Sequence, residues 1–202
     1  MRFSQFTMVR PVAFFSNLVI AGSCRRVPGA IVECGVWKGG MIAAICCELG
    51  IDREYLLFDS FEGLPPAKEV DGEAALQWQT NVEGPDYFDN CTATEAEAEM
   101  VMKKTGCRNV RIVKGWFSDT LRSATFSDGI ALLRMDGDWY DSTLEILESL
   151  FPLVKVGGTI IIDDYHTWEG CSKAVHDYFA KSKREERIET LNGVCYMTKR
   201  GE

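Results

Sequence analysis

Short apolar bursts alternate with stretches of helical periodicity along almost the whole chain. Residues 30–35, 54–58, 109–114, 130–135 and 159–162 read as strands, each bounded by glycine, proline or acidic residues. Helical patterns fall between them, at about 9–25 (ended by Pro28-Gly29), 38–49, 142–151 and 170–181. Another runs to about Thr105, capped by Thr92 or Thr94, with the acids of 95–99 at its positive end. Residues 187–191 and 194–198, joined by Asn192-Gly193, read as a closing hairpin. Alternation of this kind predicts an α/β fold: a mostly parallel sheet with right-handed crossovers and helices on both faces. The hairpin narrows this to seven strands with the last one reversed, in a single domain over 1–202 with an N-terminal helical segment at 1–29.

One connection breaks the rhythm. Residues 59–91 carry Pro65-Pro66, Gly84-Pro85 and the aromatics Phe61, Trp78, Tyr87 and Phe88. A loop this long in a compact domain is usually functional or disordered, and the aromatics favour an ordered, lid-like insertion.

Composition removes several classes of function. The 202 residues carry a net charge of -8, which argues against a nucleic-acid partner held through its phosphates and favours a small-molecule substrate. Eight cysteines without a C-x-x-C pair, some inside apolar runs, read as free thiols of a reducing, cytoplasmic protein. The apolar stretch at 12–21 resembles a signal peptide, yet Ser16-Asn17 interrupts it and its apolar positions can line a helix face. No segment approaches the ~20 apolar residues that span a bilayer, so no membrane partner is expected.

The candidate chemistry lies where strands end. Residues 130–135 run into Asp136-Gly137-Asp138, and 159–162 into Asp163-Asp164. Ligands of an open parallel sheet bind at the carboxyl ends of its strands, and crowded carboxylates there are suited to a hard cation. Three more strand ends share that rim. Glu33-Cys34-Gly35-Val36-Trp37-Lys38-Gly39-Gly40 forms a strand, a glycine turn and a helix start, without the dinucleotide G-x-G-x-x-G or the P-loop G-K-[ST]. Such a turn serves a cofactor or plain helix packing equally well. Glu33 would repel a pyrophosphate but suits a ligand bearing an amine and a sulfonium. Asp59, ahead of Ser60 and Phe61, stands where a nucleoside-binding fold places the acid that accepts ribose hydroxyls, or where a turn is capped. After the third strand, Trp116 or Phe117 can stack on a purine while Ser118 or Asp119 bonds its edge, or the aromatics are core. His166 is a candidate pocket residue; His176, inside a helical stretch, reads as structural, and Asp141 and Ser142 read as helix N-caps.

The strings VECGVWKGG, FDSFEGLP, VKGWFSDTL, RMDGDWYDST and GGTIIIDDY, in this order and spacing, resemble the macrocin O-methyltransferase family over nearly the whole chain. The resemblance implies a class I methyltransferase fold, S-adenosylmethionine and Mg²⁺ as cofactors, and methyl transfer to a hydroxyl of a sugar or glycosylated natural product. It implies a cofactor site at Glu33, Gly35, Val36, Trp37, Asp59, Ser60, Phe61, Trp116, Phe117, Ser118, Asp119 and Asp136. It further implies a metal on Asp136, Asp163 and Asp164, Asp136 or Asp138 as the base, and a homodimer. Two other functions fit the same residues: methylation of a phenol or catechol, and a non-catalytic module that binds the cofactor or the metal. Family members tend to carry a longer N-terminal region that helps form the substrate lid and the dimer, so the acceptor stays open.

Overall fold

The computed structural model describes residues 2–85 and 87–201. Seven strands form one sheet in the order β3-β2-β1-β4-β5-β7-β6: β1 (Ala30–Cys34), β2 (Tyr55–Asp59), β3 (Val110–Lys114), β4 (Ile130–Met135), β5 (Val154–Ile162), β6 (Glu189–Leu191) and β7 (Val194–Thr198). The first five pair in parallel, and β7 runs antiparallel to both of its neighbours. This is the predicted architecture with its one reversed strand. The chain reverses between β6 and β7 because Asn192 and Gly193 both take positive φ, 49° and 85°, as a tight two-residue hairpin requires.

Helices α1 (Pro11–Gly22), α2 (Gly40–Leu49) and α4 (Glu95–Lys103) cover one face, and α6 (Tyr140–Leu150) and α7 (Glu169–Ser182) the other. α3 (Glu73–Thr80) lies in the long connection, and the single turn α5 (Phe117–Thr120) follows β3. Both faces are dry, so central strands are apolar on both sides: Ile31 packs with Ile42, Ile45 and Val101, whereas Val32 packs with Leu147 and Val175. Among the described residues no helix is long and apolar enough to cross a membrane. All eight cysteines are free, five of them buried.

Several boundaries differ from the sequence reading. α1 starts at Pro11, whose fixed φ suits a first helical position, after a 3-10 turn at Ser4–Phe6. β5 starts at Val154 instead of 159. Thr94, of the two candidates, caps α4 in a reciprocal box with Glu97. Asp141 and Ser142 do not cap α6. Trp139 occupies the cap position, and the donor of Tyr140 goes instead to Asp71 Oδ1 at 2.7 Å, while Asp141 pairs with Lys68.

The connection is folded, which its composition did not predict in detail. It contains α3 between 3-10 turns at Glu69–Asp71 and Asp89–Cys91. Asp71, 2% exposed, fixes it twice, accepting from Lys68 N at 2.7 Å as well as from Tyr140 N. Trp139 Nε1 donates to Pro65 O at 2.9 Å. The insertion is therefore anchored to the strand-end rim by a buried carboxylate and an indole.

Candidate active site

The carboxyl ends of the parallel strands are held level by backbone bonds running past them: Gly35 N to Phe58 O, Asp136 N to Cys34 O, Asp163 N to Met135 O and Gly115 N to Asp59 O, all 2.8–2.9 Å. Gly35, at φ +86°, is dictated by this contact, since a Cβ there would lie 1.8 Å from Asp136 O. Above this rim opens a cavity of about 1060 Å³, walled by the strand ends, residues 7–10 before α1, and the insertion. That volume is at the upper end of the range for a small-molecule site.

On the floor, Asp136, Asp138 and Asp164 each point one oxygen into a cluster whose atoms lie within 4.8 Å of one another. Asp138 has φ +54°, which turns its side chain back over the strand ends. Its N–H donates to Asp164 Oδ2 at 3.2 Å, and its Oδ1 accepts from Trp168 Nε1 at 2.9 Å. The structure thus brings Asp138 into the group expected to hold the metal. Asp163 turns away, with its Oδ1 2.7 Å from Arg134 Nη2.

Arg134 is the residue that sequence reasoning missed. It lies inside β4, 1% exposed, and its Nη1 donates both to Glu33 Oε1 at 3.0 Å and to Asp136 Oδ2 at 2.7 Å. Its Nε donates at 3.1 Å to Asn17 Oδ1 on α1. The signal was present, since a lone arginine and a lone glutamate interrupt two apolar strands, and β1–β4 pairing sets Glu33 opposite Arg134.

Three carboxylates (Glu33, Asp136 and Asp163) thus pair with one guanidinium, and Asp138 and Asp164 crowd against Asp136. Burial and mutual repulsion govern the protonation of Glu33, Asp136, Asp138 and Asp164. Burial, reinforced by Asp136, raises Asp138 to about 8. Burial raises Asp136 to about 6 although Arg134 opposes the shift. Asp164 is pushed well up by burial and Asp138, and Glu33 is raised to about 8 by burial against the pull of Arg134. Burial by itself would pull Arg134 down, yet Asp163, Asp136 and Glu33 together hold it well above its ordinary value. Glu33 Oε2 is buried and has no hydrogen-bond partner among the described residues. The site is short of positive charge.

The other sequence candidates divide. Asp59 Oδ2 accepts from Val36 N and Trp37 N at 2.7 and 2.8 Å, and its Oδ1 from Phe61 N at 2.7 Å. It therefore shapes the turn after β1 and keeps about one of a carboxylate's four acceptor positions for a ligand. Gly35, Val36, Trp37, Ser60, Trp116, Phe117 and Ser118 line the cavity, while Asp119 is exposed and off its wall, as is Phe61, buried beneath. His166 is also off the wall, bonded to Thr190 at 3.1 Å; His176 is exposed, 2.9 Å from the Tyr165 hydroxyl.

Facing the acids is an aromatic wall. Trp78 from α3 lies 6.2 Å from Trp139, 6.0 Å from Trp168 and 5.2 Å from Tyr87, in tilted and edge contacts. Trp139 and Trp168 are 5.2 Å apart. Such indole clusters present flat apolar faces beside polar edges.

The chain matches the family model described as Macrocin-O-methyltransferase (TylF) over residues 10–200. It is 37% identical to demethyldecarbamoylnovobiocin O-methyltransferase of Streptomyces niveus, covering 83% of this chain and 64% of that protein. It is 35% identical to mycinamicin III 3''-O-methyltransferase of Micromonospora griseorubida, covering 75% and 61%. The chain thus spans less than two thirds of the length of these curated relatives. Among solved structures, the O-methyltransferase NovP aligns with TM-score 0.81 and 30% identity, over 97% of this chain and 83% of that one. The calicheamicin methyltransferase CalS11 aligns at TM-score 0.71 and 22% identity, over 92% and 77%, a likeness of fold. The match over residues 10–200, with the strand order and rim described above, identifies the chain as a member of the macrocin O-methyltransferase family.

Proposed function

We propose that this chain is an O-methyltransferase that uses S-adenosylmethionine and Mg²⁺ to methylate a hydroxyl of a sugar or a glycosylated natural product. The observation that carries the reading is the trio Asp136, Asp138 and Asp164 on the floor of a cavity whose opposite wall is aromatic. Oxygens on opposite sides of a six-coordinate Mg²⁺ are about 4.2 Å apart, so a set within 4.8 Å needs only a small closure to fit. All three donors are carboxylate oxygens, the chemistry a hard cation selects. Glu33 Oε2, buried and unpartnered at the cavity floor, fits the ammonium of an amino-acid moiety. Arg10, on the same wall and exposed, suits the neighbouring carboxylate.

When bound, S-adenosylmethionine supplies an electrophilic methyl group, and Mg²⁺ on Asp136, Asp138 and Asp164 supplies the Lewis acidity that lowers a hydroxyl pKa. The remaining work is positioning. Trp78 and Trp168 offer faces on which an acceptor ring can stack, and Trp78 brings the insertion over one side of the cavity. Arg134 donates to Asp136 and lowers its basicity, so Asp138, ionised once the cation is bound, is the carboxylate that would take the hydroxyl proton. Trp168 Nε1 holds that carboxylate in place.

The test is calorimetry with S-adenosylmethionine, with and without Mg²⁺, followed by mass analysis of a panel of glycosides. Cofactor binding together with a metal-dependent gain of one methyl group is expected. Undiminished turnover in chelated buffer would remove the metal from the reading, and binding without product would favour a non-catalytic module. The aromatic wall also suits a planar phenol, so catechols belong in the panel; their exclusive methylation would replace the sugar reading. The exposed acids and the net charge of -8 keep nucleic acid out, the free thiols fit a cytoplasmic enzyme, and a homodimer is tested by sedimentation.

A further inference from the structure

Arg134 stands between the two halves of the cavity and belongs to neither. One proton-bearing nitrogen, Nη1, is shared between Glu33, on the cofactor side, and Asp136, on the metal side. The second, Nη2, pairs with Asp163 at 2.7 Å. Nε, the remaining donor edge, is taken by Asn17 Oδ1. Asn17 is itself fully buried, and its Nδ2 donates to Ala13 O at 3.0 Å, so its amide cannot turn without losing a bond. Nη1 and Nε are thereby directed by hydrogen bonds and Nη2 faces Asp163 through charge alone, so the plane is set from α1 and β1. Ser16, the other polar residue in that apolar helix, accepts from Asn192 Nδ2 at 3.1 Å and ties α1 to the β6–β7 turn.

We propose that Arg134 is a positioning residue common to both halves of the site, holding Glu33 for the cofactor and Asp136 for the cation, and that Asn17 fixes its orientation. The inference rests on the assignment of the two halves given above. Its physical basis is that the two in-plane protons of Nη1, held in a planar guanidinium whose Nε is fixed by Asn17, set the separation of Glu33 and Asp136, whereas a freely rotating ammonium on a flexible stem does not. Without the guanidinium, Glu33 and Asp136 repel each other and relax apart, and each ligand loses a preorganised partner. Partners that orient ligating groups are worth 10–100-fold in affinity.

The experiment is Arg134→Lys, which keeps the charge and removes the planar guanidinium, alongside Asn17→Ala, which removes the acceptor of Nε together with the local bond to Ala13 O. Each is titrated with S-adenosylhomocysteine in metal-free buffer by calorimetry, and with Mn²⁺ in cofactor-free buffer by electron paramagnetic resonance. Melting curves establish that the protein titrated is folded. Expected are losses of about 10-fold or more in both affinities for Arg134→Lys. For Asn17→Ala, a smaller loss of at least about 3-fold, again in both, is expected in the folded protein, together with a fall in melting temperature from the unpaired Nε. A purely structural residue would lower the melting temperature and leave the affinities of the folded protein unmoved. Wild-type affinity for both ligands in either folded variant, or loss of only one, overturns the proposal. If Arg134→Lys does not fold, the paired titration of Asn17→Ala decides alone. Failure of the wild-type chain to bind either ligand would instead defeat the assignment of the two halves.

Discussion

Metal-free protein should lose stability as pH rises from 5 to 7, against the usual trend for acidic proteins. Asp136 and Asp138 have folded-state values near 6 and 8, both above the unfolded value near 3.9. Through this window the folded cluster therefore keeps at least one proton that the unfolded chain has released. Folded chains then bind more protons than unfolded ones, and the slope of unfolding free energy with pH is negative, about 1.4 kcal/mol per unit per proton. Over two units this is about 3 kcal/mol, or a fall of roughly 5–11 °C in melting temperature for a chain of this size. Glu33, also raised, adds in the same direction. Opposing groups lie outside the window: Glu97, Glu145, Asp177 and Glu186 have lowered values, so the stability they contribute is lost only below about pH 4.5. Raised thiols and phenols act above pH 8. Saturating Mg²⁺ favours the ionised carboxylates and should flatten the slope, adding about 2.7 kcal/mol at a hundred times its dissociation constant at pH 7 and less at pH 5. Differential scanning fluorimetry at fixed ionic strength, with chelator or Mg²⁺, reads this directly. A metal-free melting temperature that is flat or rises from pH 5 to 7 refutes the argument.

Three further substitutions probe the supporting structure. Asp71→Ala removes the side-chain acceptor of α6 and of Lys68 N at a buried position and should cost about 2–4 kcal/mol, seen as a drop of roughly 4–16 °C in melting temperature; a change under 1 °C would show that the insertion is not anchored there. Trp168→Phe keeps an aromatic ring, though a smaller one, and loses the donor to Asp138; it should lower kcat about 10–100-fold, measured by product formation on the folded variant. Gly35→Ala places a Cβ 1.8 Å from Asp136 O at φ +86° and should cost at least about 3 kcal/mol, so soluble yield and melting temperature should both fall.

The sheet was legible because its information is local. Apolar bursts with acidic or glycine ends mark strands, and Asn192-Gly193 marks the reversal, whatever the rest of the chain does. The insertion was less legible. α3 has a polar composition with only Ala75 fully buried, so no strong apolar stripe announces it, and its order depends on Asp71 meeting Tyr140 across a long stretch of chain. Thr94 and Asp71 illustrate the difference. A cap supplied from the same turn can be read from spacing, and a cap supplied from 69 residues away cannot.

The acids of the rim show the same limit where it matters for function. The chain's order of residues places Asp136, Asp138, Asp163 and Asp164 at two neighbouring strand ends, but not which of them converge. That choice is made by Arg134, which draws Asp163 to one side and leaves Asp138, swung back by its positive φ, to complete the trio. Arg134 can take this role only because Glu33 is its neighbour across β1 and β4 and Asn17 reaches it from α1. The polar interruption at Ser16-Asn17, which in the sequence served to argue against a signal peptide, is thus part of the same network. A buried charge needs partners, and those of Arg134 are spread along the chain from Asn17 to Asp163. The convergence of the acid trio is therefore specified by a buried network whose members each look anomalous in an apolar segment. Those anomalies, a charged residue in each of two central strands and an amide in an apolar helix, are where a sequence of this fold should be searched for the residues that aim its active site.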